Sequence, residues 1–404
     1  MSLLQFNSVL ITPYTELIDS AQKLSSHRGG PHWPHFPQQL AVRHCRAGHP
    51  IDDEPLEPST IPINLSGTFA WGGALVNHFG HQIADFSMRL GPTLLEFPTA
   101  RFIFAVRKGK SVKSYDDLPE FFKGILQWFN ISPDRLHVVD RPTVVERLVV
   151  APQAEQLLCA NGPDDQYLDY LDELIRTKRF DHAKNGIVYV SRAGQRSRFA
   201  GEGYIEQILM SIGVRVVRPE NLKLEEQLRQ YLSADLLVFS EGSAIHAVQL
   251  IGRCLSKVVV LLRRSDIPSK TKGNGIWKPV LQKRSKSVEC SRIFLGQLYP
   301  KTLSGFDATW LGLSIISEEA LFSELSVILG DASYAAAFKK KWHTAVFKDE
   351  CRRDIIEWLS DLSTDSSALV APSASLILNQ LEELGLSSLK GDAEQILRMN
   401  AEAE

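Results

Sequence analysis

Apolar residues recur along this chain with two different periods, and the changes of period predict its elements. From His78 to Leu90, the residues Phe79, Ile83, Phe86 and Leu90 follow one another at three- and four-residue steps, the spacing of an amphipathic helix. Strand-like runs come next at Arg101 to Arg107, Leu136 to Asp140 and Arg147 to Ala151, with a helical stretch near Glu120 to Phe129 between them. Strands alternating with helices predict an α/β arrangement. Residues 1–60 are rich in Pro, His and Gly, and Ser25 to Pro37 shows no sustained period, which predicts a largely irregular segment.

A helix from Asp164 to about Lys178, with Tyr167, Leu171, Leu174 and Ile175 on one face, leads into a more regular second half. There Ile187–Val190, Val214–Val217, Leu236–Phe239 and Val258–Leu262 read as strands, with Glu202–Ile212, Leu224–Leu232 and Ala244–Ile251 as intervening helices. Short runs rich in Val and Ile, separated by helices, fit a parallel sheet covered on both faces. After about Phe306 the pattern turns helical, near Glu318–Leu329, Asp354–Leu362 and Ala374–Leu384. The expected organisation is an α/β domain over 1–160, a doubly wound domain over 161–305 and a helical extension over 306–404. Nothing in the extension looks like chemistry, so packing, or a homo-oligomer formed through its helices, is its expected use.

Composition narrows this picture. A chain of 404 residues exceeds the size at which single cores stop growing, in keeping with two packed domains. A net charge of −2 argues against a dedicated nucleic-acid binder. No apolar run is long enough to span a bilayer, and Met1 to Ser20 carries Asn, Thr, Glu and Asp where a secretory signal needs apolar residues, so the expected compartment is the cytoplasm. The five cysteines are scattered and read as reduced thiols. His27, His32 and His35 invite a metal, yet Pro and Gly break any regular face and no acidic or Cys partner is suitably spaced, so none is expected there. Trp33 and Phe36 read as core residues before they read as sugar-stacking ones.

Ligands of an open parallel sheet bind outside the carboxyl ends of its strands. Three polar clusters fall at those ends: Ser191-Arg192, Arg218-Pro219-Glu220 and Ser240-Glu241-Gly242-Ser243. Gly242 permits a tight turn, and Ser243 is suited to cap a helix whose N-terminus favours phosphate. Ser243 and His246 would face a diphosphate, Arg192 would contact the same phosphates with Arg196 or Arg198 as helpers, and Glu220 or Glu241 would accept from ribose or sugar hydroxyls. Neither G-x-G-x-x-G after a strand nor a P-loop run occurs, which disfavours a dinucleotide-dependent enzyme.

These blocks resemble glycosyltransferase family 61. "HFGHQIADFSMRL" (His78 to Leu90) is similar to its N-terminal block, where a His precedes an acidic residue by four and Arg-Leu follows. "VYVSRAGQRSR" and the run from Gly201 to Gly252 are similar to its C-terminal block, and the likeness covers about residues 70–263. Ala200-Gly201 before Glu202, and Gln82-Ile83-Ala84 in the first block, depart from the pattern. The resemblance implies a GT-B architecture of two facing Rossmann-like domains, a nucleotide-sugar donor such as a UDP-sugar, inversion at the anomeric carbon and no obligatory metal. It further implies a glycan or lipid-linked glycan acceptor in microbial surface polysaccharide assembly. Either Asp85 or His81, four apart on the expected helix, would be the base. The rival reading is a catalytically silent nucleotide-sugar or glycan-binding scaffold of the same fold.

Overall fold

Two separate sheets organise the chain. The computed structural model describes residues 2–15, 17–20, 23–36, 38, 40–55, 57–58, 60–107, 109–110, 112–180, 184–264, 276–303, 305–363, 370–371 and 373–401. The first sheet is built from β1 (Leu4–Thr12), β2 (Gly30–Pro31), β3 (Ile63–Leu75), β4 (Phe102–Val106), β5 (Leu136–Val139) and β6 (Thr143–Val150), in the order β5-β4-β3-β6-β1-β2. Strands β5, β4, β3 and β6 run parallel, and β1 lies antiparallel to β6, with Leu4 opposite Val150.

β1 overturns the expectation of an irregular N-terminal segment. Its alternation is interrupted at Ser8, where φ is 53°, so Val9 and Ile11 enter the core while Leu4 stays exposed. β3 escapes a pattern reading because Gly67, Gly72 and Gly73 dilute it. Close packing requires one of them: a Cβ on Gly72 would lie 2.3 Å from the Phe104 ring.

The second sheet contains β7 (Ile187–Val190), β8 (Arg215–Val217), β9 (Leu236–Ser240), β10 (Leu255–Leu262) and β11 (Ser285–Arg292), in the order β8-β7-β9-β10-β11. All neighbours are parallel, and Val190 pairs with both Val217 and Phe239. The strands therefore end together, and Ser191, Arg218 and Glu241 leave along one edge. β11 is an edge strand with polar sequence SKSVECSR, so no apolar run announces it.

The helices are α1 (Leu90–Glu96), α2 (Glu120–Trp128), α3 (Asp165–Thr177), α4 (Glu202–Ser211), α5 (Leu224–Leu232), α6 (Trp277–Gln282), α7 (Glu318–Ile328), α8 (Ala332–Lys341), α9 (Thr344–Ser363), α10 (Ala374–Glu383) and α11 (Lys390–Ala401). One apolar core runs from Phe102 and Phe104 through Phe122, Trp128 and Tyr167 to Val188 and Val238, and so joins the sheets. Polar anchors reinforce the junction. Trp128 Nε1 donates to the Leu250 carbonyl at 2.8 Å and the Tyr167 hydroxyl to the Gln249 carbonyl at 3.0 Å, while buried Arg284 pairs with buried Glu155 at 2.8 Å. In the C-terminal part, α7 and α8 complete the main core through Leu321, Leu325 and Phe338. A separate cluster around Trp358, Ile377, Leu381 and Leu397 gathers α9, α10 and α11. The fold is mixed α/β, and among the described residues no helix is long and apolar enough to cross a membrane.

Candidate functional site

The segment expected to form one helix from His78 to Leu90 is three pieces: a helical turn at Phe79–His81, a π-helix at Gln82–Ser87 and then α1. π turns bond i→i+5, are rare, and recur at functional sites. The wide turn brings residues four apart nearly into line, and His81 Nδ1 lies 2.9 Å from Asp85 Oδ2. It also leaves the Asp85 carbonyl to outside donors, His44 Nδ1 at 3.0 Å and Gln153 Nε2 at 3.3 Å. Gln153 Oε1 accepts the Cys45 N–H at 2.7 Å, which pins the hairpin pairing Cys45–Arg46 with His49–Pro50 beside Asp85.

From that hairpin Arg46 donates Nη2 to Asp85 Oδ2 at 2.5 Å and Nε to Oδ1 at 3.3 Å. Asp85 is 1% exposed. Burial alone would raise its pKa, but the hydrogen bond from His81 and the charge of Arg46 outweigh it and hold the carboxyl well below the usual carboxylate range. Arg46 Nη2 also stands 3.2 Å from His81 Nδ1, but the carboxylate is the nearer neighbour and an ionised carboxylate only accepts, so Nδ1 donates to Asp85, and in the neutral imidazole Nε2 is the nitrogen that carries the free lone pair. Nothing among the described residues hydrogen-bonds to Nε2, and the side chain is 46% exposed. The cluster is thus a buried acid that orients an exposed imidazole.

The helical turn crosses the Ser243–Leu250 segment at Gly80, where a Cβ would stand 2.8 Å from His246 Cδ2 and 2.9 Å from Ser243 Cβ. Gly80→Ala must therefore separate the two segments. We expect a loss of about 1–3 kcal/mol in urea unfolding, the usual cost of overpacking. An unchanged midpoint would show that the crossing is slack.

Beside this crossing opens a cleft of about 680 Å³. Its walls include Phe79, Ser191, Arg192, Glu220 and Ser243, and α2 faces them with Phe121, Gln127 and Trp128. Arg192 is 9% exposed and held from behind, Nε donating to the Ser197 carbonyl and Nη2 to its hydroxyl, both at 2.9 Å. Nη1 has no hydrogen-bond partner among the described residues. Burial lowers the pKa of the guanidinium, which starts high enough to stay charged at neutral pH. Glu202, fully buried, fixes the backbone here by accepting from Tyr189 Oη at 2.8 Å, the Arg192 N–H at 2.9 Å and Ser191 Oγ at 3.3 Å.

Arg192, Glu220 and Ser243 thus share the cleft wall with Phe79, while His81, two residues beyond Phe79 on the same helical turn, stands beside the cleft and does not line it. Of the other expected residues, Gly242 lies against Arg192, and Arg196, Glu241, His246 and Arg198 are engaged elsewhere. Arg196 turns to the Asp361 carbonyl at 3.1 Å. Glu241 is buried, accepting from the Arg263 and Arg264 N–H groups, the Arg264 side chain and Trp277 Nε1. Gly242 makes no tight left-handed turn: its φ of 173° is extended backbone, and its lack of a side chain matters because a Cβ would lie 1.9 Å from Arg192 Nη1. His246 is buried under Gly80, its Nδ1 donating to Gln249 Oε1 at 2.8 Å. The segment it belongs to is a 3₁₀ helix, and Ser243 is its first residue with no side-chain cap bond at its start. Arg198, a proposed helper in a free loop, is clasped by Asp354 and Glu357. Trp33 packs in the core with Phe6 and Trp71, and Phe36 lies under Arg43.

Residues 79–253 match the family model described as Glycosyltransferase 61. Over this stretch the chain is similar to glycosyltransferase family 61. Among curated proteins none matches the chain. The family 61 stretch takes in the π-helix, the cleft edge of the second sheet and Arg192. Arg46 and the C-terminal helices lie outside it, and sequence reasoning passed over Arg46 because the short strand that carries it has no pattern of its own. Glu202 was noted only as flanking a departure from the family pattern, and a lone Glu at a helix start gives no sign of burial. Among the described residues no three His, Cys, Asp or Glu side chains gather as metal ligands would.

Proposed function

We propose that this chain is an inverting transferase of GT-B type that moves a sugar from a nucleotide-sugar to a glycan or lipid-linked glycan hydroxyl in surface polysaccharide assembly, with no obligatory metal. In this reading residues 1–160 carry the acceptor side, 161–305 the donor side and 306–404 a supporting extension. The carrying observation is the pairing of the Arg46–Asp85–His81 cluster with a cleft that holds a buried, half-satisfied arginine.

The donor diphosphate lies against Arg192 and the start of the 3₁₀ segment at Ser243, and Glu220 accepts from hydroxyls of ribose or sugar. His81 Nε2 takes the acceptor hydroxyl proton as the oxygen attacks the anomeric carbon from the face opposite the leaving group. The new C–O bond forms as the bond to the phosphate oxygen breaks, and the nucleoside diphosphate leaves with that electron pair, its added charge met by Arg192. Asp85, buried and bonded by Arg46 through both oxygens, orients His81 and does not touch the acceptor. In a panel of UDP, GDP, ADP and CDP, at least one is expected to raise the melting temperature of the chain, and Arg192→Ala is expected to abolish the rise. A rise that survives in Arg192→Ala would remove Arg192 from the phosphate site.

A further inference from the structure

We propose that helix α9 positions the diphosphate end of the donor, acting through Arg198, Ser197 and Arg192; this rests on the donor reading above. The guanidinium of Arg192 is fixed by both oxygens of Ser197. Ser197 stands between two arginines anchored on α9. Arg198, 4% exposed, donates Nη2 to Asp354 Oδ1 at 2.9 Å and Glu357 Oε2 at 2.7 Å, and Arg196 Nη2 reaches the Asp361 carbonyl at 3.1 Å. Asp354 also accepts the Gly201 N–H through Oδ2 at 2.7 Å, so one carboxylate holds both ends of the Arg198–Gly201 segment. Gly201 has φ +78°, and a Cβ on it would lie 2.5 Å from the Phe347 ring and 2.8 Å from Cys351 Sγ, so loop and helix are in backbone-close contact.

A loop left to itself would sample many conformations, and each ligand contact made from it would bear the cost of ordering. The Asp354 clasp removes that cost in advance, which is how preorganisation raises affinity. α9 falls outside residues 79–253, so the family match says nothing of this link. The chain from Asp354 to Arg198 to Ser197 to Arg192 has one destination, the cleft wall.

The test uses the full chain and calorimetric titration with UDP, GDP, ADP and CDP, each against its own monophosphate. For the best-bound base, the ratio of monophosphate to diphosphate Kd measures the terminal phosphate's contact. Asp354→Asn is expected to reduce that ratio about tenfold, the scale of one charge-assisted hydrogen bond, with monophosphate affinity nearly unchanged. A helix that served only for packing would weaken both nucleotides alike and leave the ratio intact, and that result overturns the proposal. In an Arg192→Ala background Asp354→Asn is expected to add nothing, and an additive loss would also overturn it. Should Asp354→Asn fail to fold, Glu357→Gln gives the same reading with a reduction of about two- to threefold, because its carboxylate is 62% exposed. An unmoved ratio there counts against α9 in the same way. Absence of diphosphate binding by the unaltered chain brings down the donor reading together with this one, whereas an unmoved ratio in the variants removes only the role of α9.

Discussion

Asp85→Asn is expected to lower the transfer rate about a thousandfold or more, the scale on which mis-set His–acid pairs fail. The argument is one of charge and tautomer. Asp85 Oδ2 accepts from both Arg46 Nη2 and His81 Nδ1, and Oδ1 accepts from Arg46 Nε, so an asparagine must set its amide N–H₂ either against His81 Nδ1 and Arg46 Nη2 or against Arg46 Nε. In the first orientation Nδ1 must accept, which moves the imidazole proton to Nε2 and turns the proposed base into a donor. In the second His81 keeps its tautomer but loses the negative charge that would stabilise it once it has taken a proton, and Arg46 is left donor against donor. The cleft around Arg192 is untouched, so nucleoside diphosphate affinity should hold while kcat falls. A kcat within tenfold of the unaltered enzyme, at unchanged nucleotide affinity, would take His81 out of the base role.

The two halves of this site were legible to different degrees, for physical reasons. The parallel sheet announced itself because β7 and β9 are buried on both faces and their runs are apolar save for the Tyr189 hydroxyl and the terminal Ser240. Once those strands are placed, the rule for carboxyl ends puts Arg192, Glu220 and Ser243 on one edge without further information. Side-chain direction was not legible. Glu241 lies at the same strand end as Ser243, yet Arg264 and Trp277, far along the chain, claim its carboxylate. His246 follows Ser243 by three residues and is buried by a glycine in the other half of the molecule.

Near His81 the limit was different. The spacing of His81 and Asp85 correctly put them side by side, but a helical period cannot distinguish α from π winding, and it cannot foresee Arg46. The charged partner that helps His81 keep Asp85 ionised comes from a two-residue strand in a segment without periodicity. Long-range charge pairing of this kind leaves no local trace. The clasp of Arg198 by Asp354, 156 residues along the chain, is a further instance.

The second large effect should appear in acid. Burial pushes the pKa of His246 down to about 4 and that of His27 down to about 4, and it takes His44 well below its ordinary value. These histidines are neutral in the fold and titrate near 6.5 once unfolded. Between those values the unfolded chain binds protons that the folded chain refuses, so the stability they contribute is complete above pH 6.5 and is lost as pH falls toward 4. For His246 the loss is on the order of 3 kcal/mol. Asp85 acts in the same direction at lower pH: its depressed pKa stabilises the fold above the ordinary carboxylate value, and that contribution fades as the pH drops below it. Since the whole fold is expected to be worth only about 5–15 kcal/mol, the chain should unfold in acid well before its carboxylates are all protonated. Urea midpoints measured from pH 7.5 to 4.5 should fall steeply below 6.5, and His246→Gln, which keeps a polar side chain but cannot titrate, should flatten the slope. The mechanism is local to the crossing: with Nδ1 committed to Gln249, a second proton must enter at Nε2, against Gly80. Parallel curves for the two proteins would mean that His246 takes up that proton without resistance, and that the contact between the helical turn and the 3₁₀ segment is looser than its geometry requires.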